Sequence, residues 1–342
     1  MTDETGMLQH ALFTLPNYRE GYTTDDNARA LLVGALLEDL GNPEAFELVS
    51  RYLAFVCYAF NSDTKRFRNF MDYQRRWLEE SGSDDSHGRT LLALGALLGR
   101  SKAPALQSMA GRLFEQALPA IVDTTSPRAW AFALIGIHEY LRRYDGDRRA
   151  GQVRDELARR LMALYQSNRS DEWRWYENRL TYCNAALPHA LLMCGQWLPN
   201  NAMTETGLES LSWLAGLQRA DSNGGHFVPI GSNGFYQRGG ERARFDQQPV
   251  EAQAMVSACL EAHRITGDKD WYKEARRAFD WFLGRNDLDL PIYDPTTGGC
   301  RDGLHPDRPN ENQGAESSLA FLQAVLELRL AENTLLTVEA GS

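Results

Sequence analysis

The residues best suited to chemistry in this chain are carboxylates at the starts of apolar helical runs. Asp25, Asp26, Asp84, Asp85, Asp246, Glu251 and Glu316 stand there, and Glu177 stands in a loop before another such run. Cleaving a glycosidic bond takes two carboxyl groups. One protonates the leaving oxygen, and the other activates water or attacks the sugar. Carboxylates projecting from separate helix N-termini into one cavity would repel each other, which raises some of their pKa values. Arg29, Arg89 and Arg128 occur early in three of the same runs. A buried guanidinium is costly unless paired, so each is expected to meet a carboxylate of the chain or an anionic substrate group. Trp130, Trp173, Trp175, Tyr182, Phe235 and Tyr236 carry rings that can stack on a sugar face, and Asn184 and Gln248 offer neutral hydrogen bonds. His87 lies within one polar head and is a candidate ligand contact or general base.

Each of these residues also has a purely structural reading. Asp25, Asp26 and Asp85 lie where carboxylates cap helices and favour the helix dipole. Glu251 follows Gln248 by three residues, with Pro249 at the first helical position, which is a capping arrangement. The arginines can pair internally, Trp130 can pack in the core, and His87 can be a solvated neighbour of a cap. Trp173 and Trp175 alternate with Arg174, so the pattern predicts an aromatic strand face there, suited to a lid or a sugar platform. No HExxH pattern and no His/Cys cluster with zinc spacing occurs, and no phosphate loop or nucleophile elbow, so neither a metal nor another cofactor is expected.

Six polar heads organise these residues. They read Thr24-Asp25-Asp26-Asn27, Asp84-Asp85-Ser86-His87, Ser126-Pro127-Arg128, Tyr182-Cys183-Asn184, Asp246-Gln247-Gln248-Pro249 and Asn310-Glu311-Asn312-Gln313. Repetition of one supersecondary unit fixes architecture before any single residue is read. The pattern predicts helix pairs at 25–40 with 43–60, 86–99 with 103–122, 127–142 with 147–166, 184–197 with 203–219, and 249–266 with 269–285. A sixth first helix is predicted at 314–331, with too little chain after it for a full partner. First helices are apolar over most of their circumference, as in Leu91–Leu98, and are therefore buried; second helices, such as Arg148–Leu164, are charged on one side. Buried first helices and half-exposed second helices describe two concentric rings. The expected fold is all-α, an (α/α)6 toroid over residues 1–342 taken as one domain, with residues 1–22 packed on it as an extension. Gly34, Ala35, Gly95, Ala96 and Gly136 suit close helix packing. The links into each first helix are long and the return links short, so the long loops gather on one face, where binding sites tend to lie. Their aromatic and glycine-rich stretches predict short hairpins over the mouth.

The net charge of −10 disfavours a nucleic-acid or anionic-membrane partner. No uninterrupted apolar stretch is long enough to cross a bilayer, and the acidic start has no apolar signal core. The five cysteines are an odd number without a CxxC pair, and three of them sit in apolar helical runs, which suggests a reducing, cytoplasmic setting.

With the heads in place, the chain resembles the six-hairpin glycosidase superfamily, and within it bacterial toroidal domains found beside or fused to glycosyltransferases. The segments that carry the resemblance run from Gly21 to Leu31, from Trp173 to Glu177 with Leu180-Thr181-Tyr182, from Phe245 to Ala252, and from Asn312 to Ser317. Cys183 stands where the pattern would place Asp before Asn184, so no catalytic role is expected at that position. The resemblance implies a carbohydrate substrate and a glycosyltransferase as candidate partner. The expected function is glycoside hydrolysis, with an inverting pair favoured by the width of such a cavity. Glu251 with Asp26 or Asp85 is the expected catalytic set, since the second and fifth first helices face each other across the ring. Asp25, Arg29, His87, Arg128, Trp130, Trp173, Trp175, Glu177, Tyr182, Asn184, Asp246, Gln248 and Glu316 are the expected substrate contacts. Two alternatives stay open: a sugar epimerase or isomerase on the same toroid with His87 as proton shuttle, and a non-catalytic glycan-binding domain.

Overall fold

The polar heads open the inner helices of a closed ring. A computed structural model describes residues 1–198, 200–221 and 225–340, with side chains as far as Thr334. Among the described residues there are eleven α-helices. They are α1 (Thr24–Asp39), α2 (Ala45–Ala59), α3 (Asp84–Arg100), α4 (Pro104–Ala117), α5 (Pro127–Leu141), α6 (Arg148–Asn168), α7 (Ala186–Trp197), α8 (Asn201–Leu217), α9 (Pro249–Thr266), α10 (Lys269–Asp280) and α11 (Ala315–Ala340). The odd-numbered helices pack in sequence, and α11 packs back on α1, which closes an inner ring of six. Each even-numbered helix packs outside its predecessor. This is the (α/α)6 toroid that the alternation of apolar and amphipathic helices predicts.

The two rings follow from side-chain pattern. On α6 the buried positions are Ala150, Val153, Leu157, Ala158, Leu161 and Tyr165, one stripe of a helix that is otherwise solvated. Leu157 and Leu161 are fully buried, and each contributes roughly 1.5–3 kcal/mol by leaving water. On α5 thirteen consecutive or near-consecutive residues from Arg128 to Leu141 are buried apart from Trp130, as befits a helix enclosed on all sides. Helices α3 and α5 meet backbone to backbone. A Cβ on Gly95 would lie 2.0 Å from the Gly136 carbonyl oxygen, and one on Gly136 would lie 2.4 Å from that of Leu91. Gly34, by contrast, faces Val49 of the outer α2.

Element ends depart from the pattern where local chemistry intervenes. The helix expected over 103–122 ends at Ala117 and continues as a 3-10 helix, Leu118–Asp123, because Pro119 lacks the N–H that an α-helix needs. The helix expected to start at 184 begins at Ala186, since Cys183 adopts a left-handed backbone with φ +46°. The last inner helix runs to Ala340 rather than 331, and no outer partner for it is seen among the described residues. The N-terminal segment instead bridges the heads of α1 and α11. Met7 N–H donates to Asn27 at 2.8 Å, and the Gln9 and Phe13 carbonyls accept from Ala315 at 3.0 Å and Gln313 at 2.9 Å.

Short two-residue hairpin strands gather around the heads of the inner helices, as the loop composition suggests. Tyr22–Thr23 pairs with Phe70–Met71, tying the N-terminal segment to the loop before α3. Arg179–Leu180 pairs with Tyr236–Gln237, tying the loop before α7 to the loop before α9. Gly303–Leu304 pairs with Pro309–Asn310 before α11. No helix among the described residues is long and apolar enough to cross a membrane.

Candidate active site

The heads bring their charged residues together as one ion-paired layer across the ring. Asp25 is its hub. Its carboxylate accepts from Arg29 Nε at 3.0 Å and from Arg89 Nε at 2.7 Å, and Arg29 reaches Glu316 on α11 at 2.7 Å. Arg89 also lies 4.1 Å over the Phe132 ring. Both arginine side chains are at most 7% exposed, whereas Asp25 is 23% and Glu316 44% exposed. Guanidinium groups thus form the inner side of the layer, and carboxylates face the mouth. Burial opposes ionisation of Asp25, but the two guanidiniums outweigh it and hold its pKa below the usual value.

Asp26 and Asp85 go the other way. Asp26 is 5% exposed and accepts from the Thr23 hydroxyl at 2.6 Å. Burial first and then the charge of Asp25 raise its pKa from 3.8 to about 7. Asp85 is half-buried, accepts from the Ser126 and Tyr182 hydroxyls, and is raised chiefly by burial. Neither carboxylate caps its helix. Thr23 and Ser83 are the N-caps of α1 and α3, accepting from the Asp26 and Ser86 N–H groups. Close carboxylates with opposite pKa displacements are the arrangement that divides ionised and protonated roles at one pH.

A second tier supports the layer from α5, α7 and α9. Arg128 pairs with Glu177 at 2.8 Å, donates to Asn184 Oδ1 at 3.2 Å and to the Tyr182 carbonyl, and lies 5.0 Å from the Tyr182 ring centroid. Asn184 in turn donates to Glu251 through its backbone N–H at 3.1 Å and its side chain at 2.8 Å, and Gln218 adds a third donor at 3.1 Å. Glu251 is 3% exposed, and burial raises its pKa. The capping arrangement with Gln248 is not how this carboxylate is used. It anchors Asn184, and through Asn184 it orients Arg128.

Several expected contacts lie elsewhere. His87 is fully buried and packs against Phe67, with ring centroids 5.4 Å apart and planes tilted by 39°. The Ala117 carbonyl is nearby, but neither ring nitrogen meets hydrogen-bonding geometry, and burial lowers the pKa to about 3. It cannot shuttle protons at the mouth. Trp173 and Trp175 are 4% and 0% exposed and pack on Trp213, so they are no platform; the Trp173 indole N–H donates to the Glu177 carbonyl and fixes that loop. The strand expected for them does not form. Trp130 donates to the Thr124 carbonyl and lies under Arg160 of the outer α6, away from the axis. Asp84 pairs with Arg66 at 2.8 Å and braces the loop before α3. Gln248 is the N-cap of α9 without a side-chain cap bond, and the Asp246 carboxylate lies 2.9 Å from His305 Nδ1 in a hydrogen-bonded pair, both groups being partly exposed.

Ser126 and Gln218 touch carboxylates of the site, and His305 adjoins the Asp246 head; none is among the expected contacts. Ser126 reads as a plain N-cap, which it also is. Gln218 ends an outer helix, and His305 lies in a loop, so no periodicity marks either. Among the described residues no cluster of three or more His, Cys, Asp and Glu side chains is placed to hold a metal ion. The large axial cavity, about 680 Å³, does not lie on the mouth side of the layer. It begins at Arg29 and Arg89 and extends to the C-terminal ends of the inner helices.

No family model and no curated protein sequence matches the chain. Solved structures do. A sugar epimerase from a ruminal bacterium superposes with a TM-score of 0.73 at 12% identity, covering 97% of this chain and 93% of its own. The cellobiose 2-epimerase of Bacillus thermoamylovorans gives 0.73 at 11% identity over 97% and 94%. A GH76 α-mannanase from Bacteroides thetaiotaomicron gives 0.66 at 10% identity over 93% and 88%. The neighbours thus include both sugar epimerases and glycoside hydrolases, and what likeness at this identity shows is the shared fold, an (α/α)6 toroid.

Proposed function

We propose that the chain is a glycoside hydrolase whose reacting groups are the mouth carboxylates, with Asp85 as proton donor and Asp25 as the ionised partner. The observation that supports this most is the divergence between them. Asp25 is kept ionised by Arg29 and Arg89, while Asp85 is pushed toward its protonated form and stays partly exposed. A protonated carboxylic acid can protonate a leaving glycosidic oxygen, and a fixed carboxylate can stabilise or attack the sugar carbon. Ser126 and Tyr182 orient Asp85. Glu316 and Glu177, both partly exposed and both held by arginines, are placed to accept sugar hydroxyls. Asp26 is a buried proton reservoir beside the pair, and Glu251 is a positioning residue for Asn184 and Arg128.

The test is Asp85→Asn on a panel of oligosaccharides, followed by reducing-end release. Loss of release in a variant with unchanged circular dichroism supports the assignment, and full activity refutes it. A sugar epimerase is the second reading. It is favoured by one observation, the solvent-open His305 beside Asp246, which offers an oriented imidazole near the head of α9. Epimerisation leaves product mass equal to substrate mass, so mass spectrometry separates the two.

A further inference from the structure

We propose that the axial cavity behind the ion-paired layer is a second ligand site, built for an uncharged amphipathic small molecule with an apolar body and one hydroxyl or amide head. The cavity holds about 680 Å³ and reaches solvent among the C-terminal ends of the inner helices, where Asp39, Arg264 and Lys269 are exposed. That volume is within the range of sites for drug-sized molecules, roughly 300–1,000 Å³. Arg29 and Arg89 close it toward the mouth, so its occupant does not share space with the mouth carboxylates.

The two walls differ. Helices α1, α3 and α5 contribute Leu32, Leu36, Leu92, Phe132 and Ile135, a face that favours an apolar body by taking it out of water. Helices α9 and α11 contribute a chain of hydrogen bonds. Gln253 donates to Ser257 at 2.7 Å, Ser257 donates to Glu327, and Gln323 donates to Glu327 at 2.8 Å. Burial raises the Glu327 pKa, and it lowers that of His189, which lines the cavity from α7.

The charge pattern selects the head group. Arg100 is paired with Asp39 at 2.8 Å and with Glu139 at 2.9 Å, Arg142 with Glu139 at 3.2 Å, and Arg264 with Glu261 at 2.6 Å. A charged head buried below the Lys269 rim would have to break one of these pairs or lose its hydration unpaired, and either is costly. A hydroxyl or amide can instead join the Gln253–Ser257–Glu327–Gln323 chain as donor and acceptor.

Three probes with one hydrocarbon body test this: 1-octanol, octanoate and octylammonium, each titrated calorimetrically into the full chain. Octanol is expected to bind with one-to-one stoichiometry, and the two ions roughly tenfold more weakly or worse, because their charge loses hydration without gaining a partner. Leu92→Trp and Leu260→Trp fill the cavity from opposite walls and should abolish octanol binding. Ser257→Ala removes the hydroxyl with little change of volume and should weaken octanol while sparing octanoate. Asp85→Asn, at the mouth, should leave octanol binding intact. Absence of octanol binding at millimolar concentration, equal binding of octanol and octanoate, or undiminished binding in folded tryptophan variants would each overturn the proposal.

Discussion

Replacing Asp26 by asparagine isolates the largest electrostatic consequence of the mouth layer. Asp26 is 5% exposed, lies beside the charges of Asp25 and Glu316, and has its pKa raised from 3.8 to about 7, first by burial and then by Asp25. The folded-state value lies above the unfolded one, so the native chain keeps a proton that the unfolded chain releases. The stability tied to this group is full below about pH 4 and is lost as pH rises through about 7. A displacement of that size corresponds to on the order of 4 kcal/mol of disfavoured ionisation. Asparagine keeps the shape and still accepts from the Thr23 hydroxyl, but it cannot ionise. Urea melts of both proteins at several pH values between about 4 and 8 give the difference directly. The other raised carboxylates, Asp85, Glu251, Asp302 and Glu327, occur in both proteins and cancel to first order. Asp26→Asn is expected to match the parent near pH 4 and to exceed it by roughly 2–4 kcal/mol near pH 8. A constant gap over that range, or one that favours the variant only in acid, would refute the reasoning.

Other outcomes follow from the same structure. Gly95→Ala places a methyl group into the Gly136 carbonyl, so thermal melts should show a loss of about 3 kcal/mol or more. Arg89→Met removes one of two guanidiniums holding the largely enclosed Asp25; breaking such a pair costs roughly 3–5 kcal/mol when fully buried, and somewhat less is expected here because Asp25 is 23% exposed. His87→Leu is expected to be neutral or stabilising by melting temperature and to leave turnover unchanged, since its ring nitrogens are unsatisfied. Ser126→Ala removes a hydrogen bond that favours ionised Asp85, so the alkaline limb of turnover should move to higher pH, with about 1 kcal/mol of stability lost at the α5 N-cap.

The ring was legible because its signals are periodic. Helix α6 announces itself by one apolar stripe, α5 by its lack of a polar side, and both survive in the structure within a residue or two. The heads were legible as a set, since polar residues cannot open six apolar helices without meeting near one face. What the sequence concealed is which way each side chain turns. His87 and Asp85 are two residues apart on α3, so the helix turns them about 200° away from each other. One is sealed against Phe67 and the other faces the mouth. Trp173 and Trp175 alternate as a strand face would, yet Trp213 on α8 receives both rings, a contact with no local signature. Glu251 has the spacing of a capping residue, and only the left-handed turn at Cys183 delivers Asn184 to it. The axial cavity was hidden for the same reason, being enclosed by residues from all six inner helices.

The most direct test of the central claim is isotopic. The wild-type chain and Asp85→Asn are incubated with an oligosaccharide panel in water enriched in oxygen-18, and the products are weighed by mass spectrometry. Hydrolysis through the mouth carboxylates predicts two shorter products, with one heavy oxygen added at the cleaved bond, and no cleavage by the variant. Products isomeric with the substrate, or cleavage that persists in folded Asp85→Asn, would contradict it.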